Sequence, residues 1–230
     1  MSTVKIELTI LRYVVALAAG FYLINQVKKP SRWTGRFFLA LMNISHSSLT
    51  DWGLQHVEVK PDFTILDVGC GGGRTIQKLA TVATHGKVHG IDYSNGSVAA
   101  SRAKNLPAIE AGRVAVQKAS VSQLPFSENK FDLVTAVETQ YYWPDPVKDM
   151  QEILRVLKPG GTLVIIAESY KKGATNALQR PVMKLLKSSN FGVDEHRELF
   201  LATGYTDIQI WEERRRGWIC VSGKKPTTVS

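Results

Sequence analysis

The run Ile65-Leu66-Asp67-Val68-Gly69-Cys70-Gly71-Gly72-Gly73-Arg74 decides how this chain of 230 residues folds. An apolar stretch of strand character ends in a cluster of glycines, and a helical pattern from Thr75 to Val82 follows at once. A second short apolar run, Val88-His89-Gly90-Ile91-Asp92, closes on a carboxylate. Glycines at such a turn let backbone amides approach a ligand closely, and the start of the helix offers unpaired N–H groups. A carboxylate at the tip of the next strand can accept both hydroxyls of a ribose. Strand, glycine turn, helix and acidic tip together read as a site for a nucleoside-containing cofactor.

Spacing narrows the choice of cofactor. A G-x-G-x-x-G dinucleotide fingerprint begun at Gly69 needs glycine at position 74, where Arg74 stands. The pattern present is Asp67-x-Gly69-x-Gly71-x-Gly73, with a carboxylate two residues before the first glycine. Taken alone it could also be a structural turn in an unrelated doubly wound protein. It resembles the first motif of class I S-adenosylmethionine-dependent methyltransferases. An anion directly beneath the loop would repel a pyrophosphate, but it suits the ammonium group and methionine end of S-adenosyl-L-methionine.

Three further segments follow in the same family's order. Ser120-Val121-Ser122-Gln123-Leu124-Pro125-Phe126, then Phe131–Val137 (FDLVTAV), then Glu152–Val164 (EILRVLKPGGTLV) are similar to its LPF, FDLV and RVLKPGG series. That series belongs to the small-molecule, methyltransferase type 11-like domain, and the resemblance runs from Phe63 to Lys225. It implies a doubly wound α/β fold, Rossmann-like, with a mostly parallel seven-stranded sheet, an antiparallel carboxy-terminal strand pair and an amino-terminal helical extension.

Composition and periodicity point the same way. With 44% hydrophobic residues the chain can bury one sizeable core. Two cysteines, Cys70 and Cys220, supply neither a disulfide framework nor a zinc site, and no metal is expected. Cys70 reads as a small residue in a tight turn, and the reduced cytoplasm as the compartment. Strands are expected at 64–68, 87–92, 113–118, 131–137 and 162–167, alternating with helices near 75–84, 96–105 and 146–157. Pro159-Gly160-Gly161 reads as a sharp stop after the last of these helices. Alternation at 206–211 and 217–222 around Glu212-Glu213-Arg214-Arg215-Arg216 reads as an added hairpin. Residues 1–55 form a helical extension in this reading, a lid or membrane anchor, and 56–230 the cofactor-binding domain.

Ligands in such sheets bind beyond the carboxyl ends of the strands, where strand order reverses. On that rule Asp67, Gly69, Cys70, Gly71 and Gly73 hold the methionine moiety, and Asp92, with Tyr93 beside it, the ribose. The family's acidic adenine contact falls here on Ser120, a weaker neutral partner, with the backbone of Val121 as a second contact. Glu138, at the end of the next strand, faces both cofactor and acceptor. It opens Glu138-Thr139-Gln140-Tyr141-Tyr142-Trp143-Pro144-Asp145, aromatics with a carboxylate where amino methyltransferases resemble one another in an Asn-or-Asp-Pro-Pro-Tyr motif. The aromatics suit an apolar or cationic small molecule, though Tyr141 and Trp143 could equally be loop packing. An acceptor that must lose a proton could use His46, Glu138, Tyr142 or Glu168.

The amino terminus poses a separate question. Leu8 to Ile24 is apolar apart from Thr9 and Arg12, short of the span of about 20 residues that crosses a bilayer. Ala16-Leu17-Ala18 mimics a signal cleavage site, but export would part the enzyme from its cofactor. A membrane-surface anchor and a soluble lid helix stay open. Lys28, Lys29, Arg32 and Arg36 follow it, within a formal net charge of +9, and residues 8–36 could therefore touch an anionic membrane. No nucleic-acid recognition motif accompanies the basic residues, and nucleic acid is not expected as a partner. Two cysteines exclude the thiol cluster that arsenic methylation would resemble. The expectation is methyl transfer to a small-molecule acceptor. A membrane-associated lipid or quinone methyltransferase and a non-catalytic cofactor-binding module are the alternatives.

Overall fold

The computed structural model describes residues 47–168 and 191–227. In chain order these form α1 (Ser47–Leu54), β1 (Thr64–Val68), α2 (Arg74–Val82), β2 (Lys87–Asp92), α3 (Asn95–Lys104), α4 (Leu106–Glu110), β3 (Val114–Lys118) and β4 (Phe131–Val137). A single 3-10 turn (Gln140–Tyr142) precedes α5 (Pro146–Val156), β5 (Leu157–Glu168), α6 (Val193–Ala202), β6 (Thr206–Glu213) and β7 (Trp218–Lys224).

The strands make one sheet in the order β3-β2-β1-β4-β5-β7-β6. The first five run parallel, β7 is antiparallel to β5, and β6 antiparallel to β7. This is the expected Rossmann-like sheet with its carboxy-terminal hairpin. Near-continuous apolar runs such as Phe131–Val137 serve strands buried on both faces, because alternate residues feed two cores. Leu66 and Val68 of β1 join Met150 and Ile153 of α5 and Phe200 of α6 on one face. Ile65 joins Ile76 and Leu79 of α2 and Leu49 of α1 on the other. Helix α1 lies close on β5, since a Cβ on Gly53 would sit 2.5 Å from Ile166.

Strand order reverses at β1, whose neighbours are β2 on one side and β4 on the other. The crevice at their carboxyl ends is where this architecture places its ligand.

Five elements differ from the sequence expectation. Strand β5 begins at Leu157, directly after α5, instead of at Thr162. Pro159-Gly160-Gly161 is an irregular part of the strand, because Lys225 beyond β7 holds it through Gly160 N–H to Lys225 O (2.9 Å) and Lys225 N–H to Gly161 O (2.8 Å). Both hairpin strands run two residues further than expected, and Arg214, Arg215 and Arg216 occupy the turn. Helices α4 and α6 had no counterpart in the reading. The segment 8–36 and His46 lie outside the described residues. Among the described residues no helix is long and apolar enough to cross a membrane.

Candidate active site

The glycine turn is built by its own backbone. Gly69, Gly71 and Gly73 all have positive φ, at 69°, 48° and 79°. Cys70 N–H donates to Ile91 O (2.9 Å) and Gly73 N–H to Cys70 O (2.8 Å), so the turn is tied to β2 and coiled into α2. At Gly69 a Cβ would lie 2.1 Å from Thr139 Oγ1, so the turn needs glycine there for packing as well as for φ. At Gly71 a Cβ would meet no atom within 4 Å, so the crest of the turn opens on free space.

Two buried carboxylates flank that crest. Asp92 takes Gly71 N–H on Oδ2 (3.0 Å) and Ser94 N–H on Oδ1 (2.8 Å). Each carboxylate oxygen can accept a second bond, so a ligand's two hydroxyls still find acceptors. Burial raises the Asp92 pKa, and the two backbone donors oppose that. Asp67 is 2% exposed and accepts from Thr135 Oγ1 on Oδ1 (2.7 Å). Burial pushes its carboxyl up to about 7, with Thr135 pulling down and Asp92 adding to the rise. Burial first, then the two aspartates, lift the Cys70 thiol well above its ordinary range, which suits an inert small residue. An open crest, two carboxylates with spare acceptor capacity and no obstructing Cβ fit the ammonium and ribose of S-adenosylmethionine.

Ser120 and Val121 follow β3 and are brought to the same edge by Ala119 N–H to Asp92 O (3.1 Å). Ser120 is exposed and its Oγ accepts Ser122 N–H (3.2 Å), while Val121 is buried. The following Leu124-Pro125-Phe126 segment is clamped from α5. Glu152 accepts Leu124 N–H (2.8 Å), and Arg155 donates to Phe126 O (2.9 Å), to Leu124 O (3.3 Å) and to Glu152.

At the end of β4 the chain turns sharply. Glu138 has φ 56°, unusual for a residue with a side chain, and its N–H donates to Ile166 O (2.9 Å). Its Oε1 receives Glu168 N–H and lies 3.0 Å from the Tyr141 hydroxyl, which also meets Glu168 O. Glu138, Tyr141 and Glu168 therefore form one cluster joining the ends of β4 and β5. Burial, reinforced by Glu138, drives the Tyr141 hydroxyl well above its ordinary pKa. Tyr141 and Trp143 are core residues, 7% and 6% exposed. Tyr142 is half-buried, and Tyr93 is 42% exposed. The Tyr93 hydroxyl is pushed up to about 12 by burial first, then by Asp92 and Tyr142.

Thr135, Thr139 and the Glu152–Arg155 clamp were missed in the sequence. Only the Glu-x-x-Arg spacing inside the third motif hinted at any of them. Among the described residues no group of three His, Cys, Asp or Glu is placed to hold a metal.

Residues 66–165 match a family model described as a methyltransferase domain. Over 102 residues the chain is 38% identical to cycloartenol-C-24-methyltransferase 1 of Oryza sativa subsp. japonica, covering 44% of this chain and 29% of that one. It is 34% identical over 114 residues to demethylmenaquinone methyltransferase of Bacillus mycoides (strain KBAB4), covering 49% and 48%. The chain thus spans less than half the length of these relatives. A solved geranyl diphosphate C-methyltransferase from Streptomyces coelicolor A3(2), in complex with Mg2+, geranyl-S-thiolodiphosphate and S-adenosyl-L-homocysteine, superposes with a TM-score of 0.68. That match covers 78% of this chain and 76% of the other at 14% identity, a likeness of fold alone. The sheet order, the glycine turn and the matched span together support a class I S-adenosylmethionine-dependent methyltransferase.

Proposed function

We propose that the chain transfers a methyl group from S-adenosyl-L-methionine to a small, largely apolar acceptor. The observation that carries this reading is the open crest at Gly71 between the buried carboxylates of Asp67 and Asp92, at the point where strand order reverses. Asp67 and the turn Gly69–Gly73 would hold the methionine end, Asp92 and Tyr93 the ribose, and Ser120 with the Val121 backbone the adenine edge. When bound, the cofactor supplies an already activated methyl group, so the protein's work is position and exclusion of water.

The acceptor would enter over Tyr142 and Tyr93, beside Glu138 and Glu168. Those carboxylates are the described groups that could take its proton, with the Tyr142 hydroxyl able to assist by hydrogen bonding and His46 a further candidate. An apolar acceptor is supported by the aromatic rim and by relatives named for a sterol and a menaquinone precursor. Those names, with the apolar stretch Leu8–Ile24, also support a second reading in which the acceptor is a membrane lipid or quinone met at the cytoplasmic surface.

The test is incubation with methyl-labelled S-adenosylmethionine and a panel of sterols, quinols, phenols and amines, with and without vesicles. Label in an apolar acceptor supports the first reading, and label only with vesicles the second. Tight cofactor binding with no label in any acceptor would turn the assignment toward a non-catalytic module.

A further inference from the structure

Thr135 lies in the middle of β4, wholly buried, with its hydroxyl donating to Oδ1 of Asp67 (2.7 Å). The β1–β4 register sets the two residues directly opposite one another. Among the described residues no other hydrogen bond is recorded to this carboxylate and no cation pairs with it. Resting on the cofactor reading above, we propose that Thr135 is a positioning residue of the cofactor site. Its hydroxyl orients Asp67 and stabilises the ionised carboxylate that meets the cofactor's ammonium group.

Without that hydroxyl, the environment favours the neutral acid. Burial strips water from Asp67, and Asp92 at the end of β2 adds a like charge. Cys70 in the turn is an un-ionised thiol. On α1 and α2 the charges Asp51, Arg74 and Lys78 pair with one another. Tyr93 lies beyond Asp92, and Glu138 at the end of β4 is engaged with Tyr141 and Glu168. With the carboxyl pushed up to about 7, the hydrogen bond from the neutral Thr135 hydroxyl is what favours its ionisation. A hydrogen bond to a charged group is worth roughly tenfold or more in an ionisation constant, so losing it should matter near neutral pH.

The experiment is calorimetric binding of S-adenosylhomocysteine, which keeps the ammonium group, to the full chain between pH 6 and 8. The unaltered chain should bind about tenfold more weakly at pH 6 than at pH 8. At pH 7, buffers of different ionisation enthalpy should reveal release of about half a proton on binding. In Thr135→Val the loss of affinity should begin about one pH unit higher, giving about fivefold weaker binding at pH 7 and within about twofold at pH 8. Thr135→Ser should restore the original profile, and Asp67→Asn should flatten it.

An unchanged profile in Thr135→Val would overturn the proposal. So would a Ser variant that behaves like Val, since strand packing would then be the cause. If the variants do not fold, absence of proton release from the unaltered chain overturns it on its own. No binding by the unaltered chain at any pH is a different failure, that of the cofactor reading itself.

Discussion

Gly69 and Gly71 stand two residues apart in one turn and should respond differently to the same substitution. A methyl group on Gly69 drives into Thr139, whereas one on Gly71 enters open space, so Gly71→Ala carries only the cost of a left-handed alanine, about 1–2 kcal/mol. We expect Gly71→Ala to fold and to lose most S-adenosylhomocysteine affinity, because its methyl fills ligand space. Gly69→Ala should lose stability by about 2–4 kcal/mol as well. Thermal scans beside calorimetry separate the two. Asp67 gives a second test. Its folded carboxyl pKa lies near 7, above the ordinary 3.8, so the folded chain binds more protons than the unfolded one between those values. Stability of the unliganded chain through this group therefore falls as pH rises across that window. Asp67→Asn should raise the melting temperature at pH 8 and change it little at pH 4, in scans without ligand. Asp67, the glycines and Asp92 were legible because their spacing is local. Thr135 was not, because it meets Asp67 across 68 residues and only strand register reveals the pair.

Among the elements, α5 links two sequence motifs that look independent in the chain. Glu152 and Arg155, one turn apart, hold the backbone of Leu124 and Phe126, and so fix the loop that follows Ser120 and Val121. Arg155→Ala should cost about 1–2 kcal/mol and weaken S-adenosylhomocysteine binding several-fold by loosening the adenine edge. Arg155→Lys should restore little, since an ammonium cannot span both carbonyls and Glu152 in one plane. Denaturant unfolding and calorimetry would check both variants. Parallel strands were legible as apolar runs, and α5 as a helix with one apolar stripe, Met150, Ile153 and Val156. Helix α6 was hidden because Asp194-Glu195-His196-Arg197-Glu198 obscures the apolar positions Leu199 and Phe200. The start of β5 was hidden because Pro159-Gly160-Gly161 carries a loop's composition, and pairing to Lys225 overrides it.

For the whole molecule, the fold follows from the sheet, while the acceptor depends on a few groups at one end of it. Fold alone does not decide the reaction. Cofactor capture comes first, and the most direct test is calorimetric titration of the full chain with S-adenosylhomocysteine beside NADH, repeated on Asp92→Ala. We expect S-adenosylhomocysteine to bind and NADH not to. In Asp92→Ala affinity should drop by about 10- to 100-fold, as for a lost charge-assisted hydrogen bond, with circular dichroism unchanged. Binding of NADH in its place, binding of neither, or full affinity in a folded Asp92→Ala would contradict the assignment of this crevice to S-adenosylmethionine.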